Sequence, residues 1–161
     1  MASVSEARPF LLTYEDYRAL PDDGRRYELL EGEIQVAPAP STRHQLISRN
    51  LEFLLHAHAR ERRLGEVMDA PVDVILDRGT VVQPDLLFVS SARLGIISER
   101  GIEGAPDLAV EILSESTQAI DRGAKRQLYA RYGVLHYWIV DPASRSLAEH
   151  VLSGSGVCRR G

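Results

Sequence analysis

The chain has 161 residues, a net charge of −4 and a pI near 5.7, with 44% hydrophobic and 26% charged residues. That length suits one domain with one sizeable core, and the acidic balance argues against a nonspecific nucleic-acid coat. No apolar run is long enough for a membrane span, MASVSEARPF holds no apolar signal core, and the lone Cys158 excludes an internal disulfide or a thiolate zinc cage. A cytoplasmic protein is expected, one domain over residues 1–161 with its core at about 12–150 and frayed tails.

TYEDYRAL reads as a short helix with Thr13 as N-cap and Asp16 three residues on. YELLEGEIQVAP reads as a β-hairpin turning at Glu31-Gly32, where glycine takes the positive φ of a tight turn. Ser41 caps a long helix to about Arg63. His44, Ile47, Leu51, Leu54, Leu55 and His58 make one stripe on it, and Leu46, Phe53 and Ala57 a second, so it is expected to be covered on two sides. PVDVILD alternates like a half-exposed strand, while PDLLFVS and DLAVEILS are the near-continuous apolar runs of buried central strands. SARLGIISERGIEGA between them reads as a loop with a helical turn. Residues 116–132 form a second long helix, LHYWIVDP a buried strand and SLAEHVL its hairpin partner, before the Gly/Ser-rich tail SGSGVCRRG, expected to be frayed. The order gives an α/β plan, a mixed central sheet flanked by helices.

Three acids stand where a core is expected. Asp85 opens PDLLFV, Glu111 lies inside LAVEILS on a face with Ala109 and Leu113, and Glu28 opens YELLEGE. A carboxylate on a buried strand is costly without a cation or several donors. Metal binding or catalysis would explain them. So would a turn residue after Pro84, a strand-end acid paired with arginine, and an exposed hairpin carboxylate, in that order for Asp85, Glu111 and Glu28.

Nineteen residues are basic, and only Lys125 among them is lysine. An ideal helical wheel over residues 116–132 puts Ile120, Ala124, Leu128 and Tyr132 on the apolar stripe. Asp121 falls within the stripe and Lys125 at its edge, while Arg122 and Arg126 point away. The lysine is therefore aimed at the strand carrying Glu111, although an Asp–Lys pair at this spacing is also a common surface salt bridge. Arg25-Arg26, Arg60-Arg62-Arg63 and Arg122-Lys125-Arg126 would suit either a basic rim or solvated faces. Two carboxylates, a divalent cation and a compact ammonium suit metal-assisted phosphodiester hydrolysis.

TYEDYRALPDDGRRYELLEGEI, APAPSTRHQLISRNL, VVQPDLLFV, PDLAVEILSEST and DRGAKRQLYARYGVLHYWIVDP, in this order, resemble the Uma-two restriction endonuclease family of the PD-(D/E)XK nuclease superfamily. The resemblance covers residues 12–150 and implies a restriction-endonuclease-like mixed sheet with a metal site at its end. By resemblance, Asp85 and Glu111 are metal ligands and the Ile112 carbonyl an additional one. Leu113 stands where the superfamily pattern has lysine, and Lys125 is the residue that fills the vacancy from the helix, positioned by Asp121. His44, from the first long helix, is a further ligand or a core or capping residue, Glu28 could fill the same role, and Gln83 lines the site. Tyr129, one turn past Lys125, reads as packing or as a hydroxyl supporting the site. The implied cofactor is Mg²⁺, with Mn²⁺ as substitute. The implied partners are DNA and a second copy in a homodimer, with no membrane. The implied activity is DNA phosphodiester hydrolysis, with Lys125 orienting the attacking water. A non-catalytic nucleic-acid- or protein-binding module that keeps the nuclease fold is the alternative.

Overall fold

A computed structural model describes residues 11–153 and the backbone of 156–160. The reading of MASVSEARPF lies outside the described residues, apart from its neighbour Leu11. Helix α1 spans Tyr14–Arg18, and Thr13 donates both its N–H and its hydroxyl to Asp16, each at 2.8 Å. The hairpin follows as β1 (Arg26–Leu30) and β2 (Glu33–Ala37), paired antiparallel from Arg26↔Ala37 to Leu30↔Glu33. Glu31 and Gly32 have φ of 51° and 87°, the two left-handed residues of a tight hairpin turn. Helix α2 spans Thr42–Arg62, and Ser41 accepts the His44 N–H at 3.2 Å, as the capping reading requires.

Beyond α2 come β3 (Gly65–Asp69), β4 (Val74–Asp77), β5 (Thr80–Val82), β6 (Leu86–Ser90), β7 (Ile97–Ser98), β8 (Gly101–Glu103) and β9 (Leu108–Ile112). Strands β10 (His136–Asp141), β11 (Ser146–Ser153) and β12 (Gly156–Arg160) complete the chain. The expected single sheet is two mixed sheets. The smaller-stranded elements order as β2-β1-β5-β4-β8-β7, and the sheet carrying the long apolar strands orders as β12-β11-β10-β9-β6-β3. Strands β5, β7 and β8 are two or three residues long, and β3 has only Val67 and Met68 as apolar side chains, so pairing rather than propensity makes them. The tail expected to fray instead places β12 antiparallel to β11.

Strand β9 is buried along its whole length, as its apolar run predicted. Its Leu108 and Val110 pack with Leu86 against Leu51 and Leu55 of α2. On the other face, Ala109 and Leu113 join Leu87, Val89, Val74 and Val82, so this core lies between the two sheets. Strand β10, expected to be buried, alternates between buried and half-buried positions and pairs parallel with β9.

Two helix readings are corrected. Only one side of α2 is covered. Leu46, Phe53 and Leu54 are 52, 72 and 63% exposed, and Ala57 and His58 are exposed too, because no described element crosses the outer face. The second long helix is not uniform: α3 (Gln118–Ile120) runs into a π-helical turn at Asp121–Lys125 and then α4 (Arg126–Tyr132). A π turn takes one more residue per hydrogen bond than an α turn, so a constant wheel cannot follow the chain across it. Ala124, placed inward by the wheel, is exposed, and the inward side chains are Asp121, Lys125, Leu128 and Tyr129. Arg122 and Arg126 point out, as read. Gly133, with φ 84°, closes α4 in the left-handed conformation.

Candidate active site

The β6–β9 ladder sets the two central acids. Leu86 pairs with Val110, so Asp85 and Glu111 stand one register step further on, opposite each other at the ends of adjacent strands. Glu28 arrives from β1, in the other sheet. The π turn projects Lys125 between them. Its Nζ lies 2.9 Å from Glu111 Oε1, 2.9 Å from Glu28 Oε1 and 3.7 Å from Asp121 Oδ1. Lys125 is 5% exposed, so the surface-salt-bridge reading fails: this ammonium is buried among three carboxylates. The π turn is itself anchored, since Tyr137 donates its hydroxyl to the Asp121 carbonyl at 2.8 Å.

Each acid has its own set of donors. Glu111 Oε1 also accepts the Tyr129 hydroxyl at 2.9 Å, while Oε2 takes no part in these bonds. Asp85 Oδ2 accepts the Ile112 N–H at 2.8 Å and meets His44 Nε2 at 3.1 Å. The other ring nitrogen, His44 Nδ1, is a buried polar atom without a partner. Gln83 donates its N–H to Glu28 Oε1 at 2.7 Å. The structure thus brings Asp85, Glu111, Ile112, His44, Glu28, Lys125, Asp121 and Gln83 to the wall of one pocket, of about 200 Å³. His44 is turned toward Asp85, and Glu28 toward Lys125 and Gln83.

Tyr129 and Arg26 carry more than the sequence indicated. Tyr129, read as packing before a supporting hydroxyl, donates that hydroxyl to Glu111. Arg26, one of a pair that also suited a solvated face, lines the pocket. The position of Tyr129, one helical turn after Lys125, was the only signal for the first. For Arg26, strand alternation with Glu28 was the available signal, since both fall on one side of β1.

The electrostatics are uneven. Burial acts to raise Asp85, but the bond and charge of His44, the Ile112 N–H and Arg26 outweigh it and hold the carboxyl below its ordinary value. Glu111 goes the other way. Burial pushes it well up, Lys125 opposes, and the Asp121, Asp85 and Glu28 charges add to the rise. Asp121 is raised for the same reason, burial first. For Lys125, burial disfavours the charge, but Glu111, Glu28 and Asp121 outweigh it and raise the group, so the ammonium persists at neutral pH.

Among the described residues, no three His, Cys, Asp or Glu side chains already stand as a metal-holding group. The donor set nonetheless fits a hard divalent cation. Oxygen ligands predominate, Asp85 Oδ1 has only Arg26 near it at 3.7 Å, and Glu111 Oε2 is outside the lysine and tyrosine bonds. The raised Glu111 and Asp121 mark a place where further positive charge is favourable.

Residues 14–159 match the model of the Uma2 family, described as "Putative restriction endonuclease". In fold, the chain is similar to a crystal structure of "a putative nuclease belonging to DUF820" from Anabaena variabilis. The TM-score is 0.78 at 18% identity, over 92% of this chain and 83% of that one. No curated protein matches the chain.

Proposed function

The chain belongs to the Uma2 family, and from that premise we propose that it is a Mg²⁺-dependent endonuclease, able to use Mn²⁺, that hydrolyses DNA phosphodiester bonds. Asp85, Glu111 and the Ile112 carbonyl would hold the cation, with His44 steadying Asp85 and Glu28 steadying Lys125. The observation that supports this best is the buried ammonium of Lys125 between Glu111 and Glu28, beside the cross-strand acid Asp85.

When bound, the cation supplies Lewis-acid activation of the phosphate and of a water. The chain's own groups do the rest. Tyr129 fixes one oxygen of Glu111 and leaves the other outside its bond and that of Lys125. Lys125 keeps its proton, so it acts as a donor that orients the attacking water and offsets charge growing on the phosphoryl oxygens. It does not act as the base. Asp121 and Glu28 hold the lysine ammonium in place, and Gln83 fixes Glu28 through its backbone N–H.

Incubation of purified protein with Mg²⁺ or Mn²⁺ and supercoiled, linear and single-stranded DNA tests the proposal. Cleavage is expected from the unaltered chain and not from Glu111→Ala or Lys125→Ala. Cleavage that survives both substitutions would sink it. A second reading, a binding module without catalysis, draws on the engagement of the lysine by three carboxylates. Calorimetric titration with Mn²⁺ separates the two, since a binding module of this kind needs no cation.

A further inference from the structure

Among the described residues lining the pocket, only Arg26 and Lys125 carry a fixed positive charge. The other lining charges include the carboxylates of Glu28, Asp85, Glu111 and Asp121, which repel an incoming phosphate. Lys125 is already committed to three of these acids and is almost fully buried. Arg26 is committed differently. Its Nη2 donates to the Gln83 carbonyl at 2.7 Å and its Nε to Gln83 Oε1 at 3.3 Å. Its Nη1 has only Asp85 Oδ1, at 3.7 Å and so beyond a hydrogen bond, and 25% of the side chain is exposed.

Gln83 is fixed in turn. Its Nε2 donates to Asp73 Oδ1 at 2.8 Å, and Tyr17 donates to the same oxygen at 2.8 Å. One edge of the Arg26 guanidinium is therefore pinned to a rigid polar network, and the remaining nitrogen is presented at the mouth of the acidic site. Planar guanidinium groups suit phosphate oxygens, and a group held beforehand loses little freedom on binding.

We propose that Arg26 is a substrate-binding residue that takes a non-bridging oxygen of the DNA phosphodiester, next to Asp85. This rests on the nuclease reading of the same site. It makes the smaller sheet the source of phosphate recognition, while the β6–β9 ladder supplies the cation ligands.

Fluorescence anisotropy with labelled single-stranded and duplex DNA in Ca²⁺ reads binding, and cleavage in Mg²⁺ is followed separately. Arg26→Ala should weaken DNA binding about tenfold or more. Arg26→Lys should restore only part of it, and Arg25→Ala, at an exposed neighbour paired with Asp23, should stay within about threefold. Mn²⁺ affinity by calorimetry should not weaken in any of the three. Unchanged DNA affinity in Arg26→Ala overturns the proposal. So does a parallel loss of Mn²⁺ affinity, which would make Arg26 a support for Asp85. Melting temperatures decide which Arg26 variant is read, and unfolding of both would make the residue a strut and reject the proposal. If the unaltered chain binds DNA through Arg26 yet cuts nothing, the nuclease reading falls and the phosphate site stands. If it cuts and Arg26→Ala cuts equally well, the reverse holds.

Discussion

Two acids flank the central strand β9 and live in opposite conditions. Asp107, just before the strand, has both oxygens filled by fixed donors: Ser90 N–H at 2.7 Å on Oδ2 and Arg93 at 3.0 Å on Oδ1. Burial acts against its charge, but Ser90 and Arg93 outweigh that and hold its carboxyl below the ordinary value. Glu111, near the strand's other end, has two donors crowded on one oxygen and three acids as neighbours, and it is raised. Asp107 is an acid whose needs are met inside the fold. Glu111 is an acid whose charge the fold leaves partly uncompensated, and the proposed role of Glu111 as a metal ligand draws on that difference.

The strongest way to break this comparison is to remove the lysine. Lys125→Ala leaves buried acids unpaired and should cost about 3–5 kcal/mol of stability in metal-free protein. Added Mn²⁺ should recover part of that loss, as read by chemical denaturation with and without the cation. No recovery would mean that the acids do not share a cation. Next in size is Tyr129→Phe, which keeps the ring and deletes the bond to Glu111. Mn²⁺ affinity should drop about 10–100-fold with little change in melting temperature, as for outer partners of metal ligands. An unchanged affinity would return Tyr129 to packing.

The opposite end should respond in stability alone. Asp107→Asn should cost about 1–3 kcal/mol at neutral pH and leave Mn²⁺ affinity intact. Its folded carboxyl is lowered, so its contribution is present above the unfolded value of about 3.9 and is lost as pH falls below it. The gap between Asp107→Asn and the unaltered chain should therefore close progressively as pH falls below about 3.9. A gap that widened there would reverse the sign. The smallest effect belongs to Phe53→Ser on the uncovered side of α2, within about 0.5 kcal/mol in denaturation. A larger loss would reveal a partner for that face.

Much of the site was legible because burial and polarity conflict openly in the sequence. Glu111 among apolar neighbours, Asp85 at the head of an apolar run and an isolated lysine all break a pattern, and a broken pattern is readable. The hairpin turn, the Ser41 cap and the buried character of β6 and β9 were legible from local chemistry. Strands β5, β7 and β8 were not, since two or three residues carry too little periodicity, and GEVMD in β3 neither alternates nor runs apolar, so all four gain their form from pairing. The outer strip of α2 was misread because spacing shows where apolar side chains point and says nothing about what covers them. Tyr129 looked like core because a tyrosine's ring and hydroxyl give the same pattern until its acceptor is known.

The π turn at Asp121–Lys125 puts the ammonium of the proposed site on a helix. Leu113, just past β9 and where the resemblance would have a lysine, is 6% exposed and packs in the core with Leu128 and Tyr129. Returning a lysine to that strand would bury a second ammonium under the helix. The wider turn instead supplies the charge from above while the strand keeps its apolar contact. In the proposed site the ammonium thus comes from a helix and still meets Glu111 at 2.9 Å. A comparison by the spacing of strand residues would pass over this lysine, and one that traced where its nitrogen lies would not.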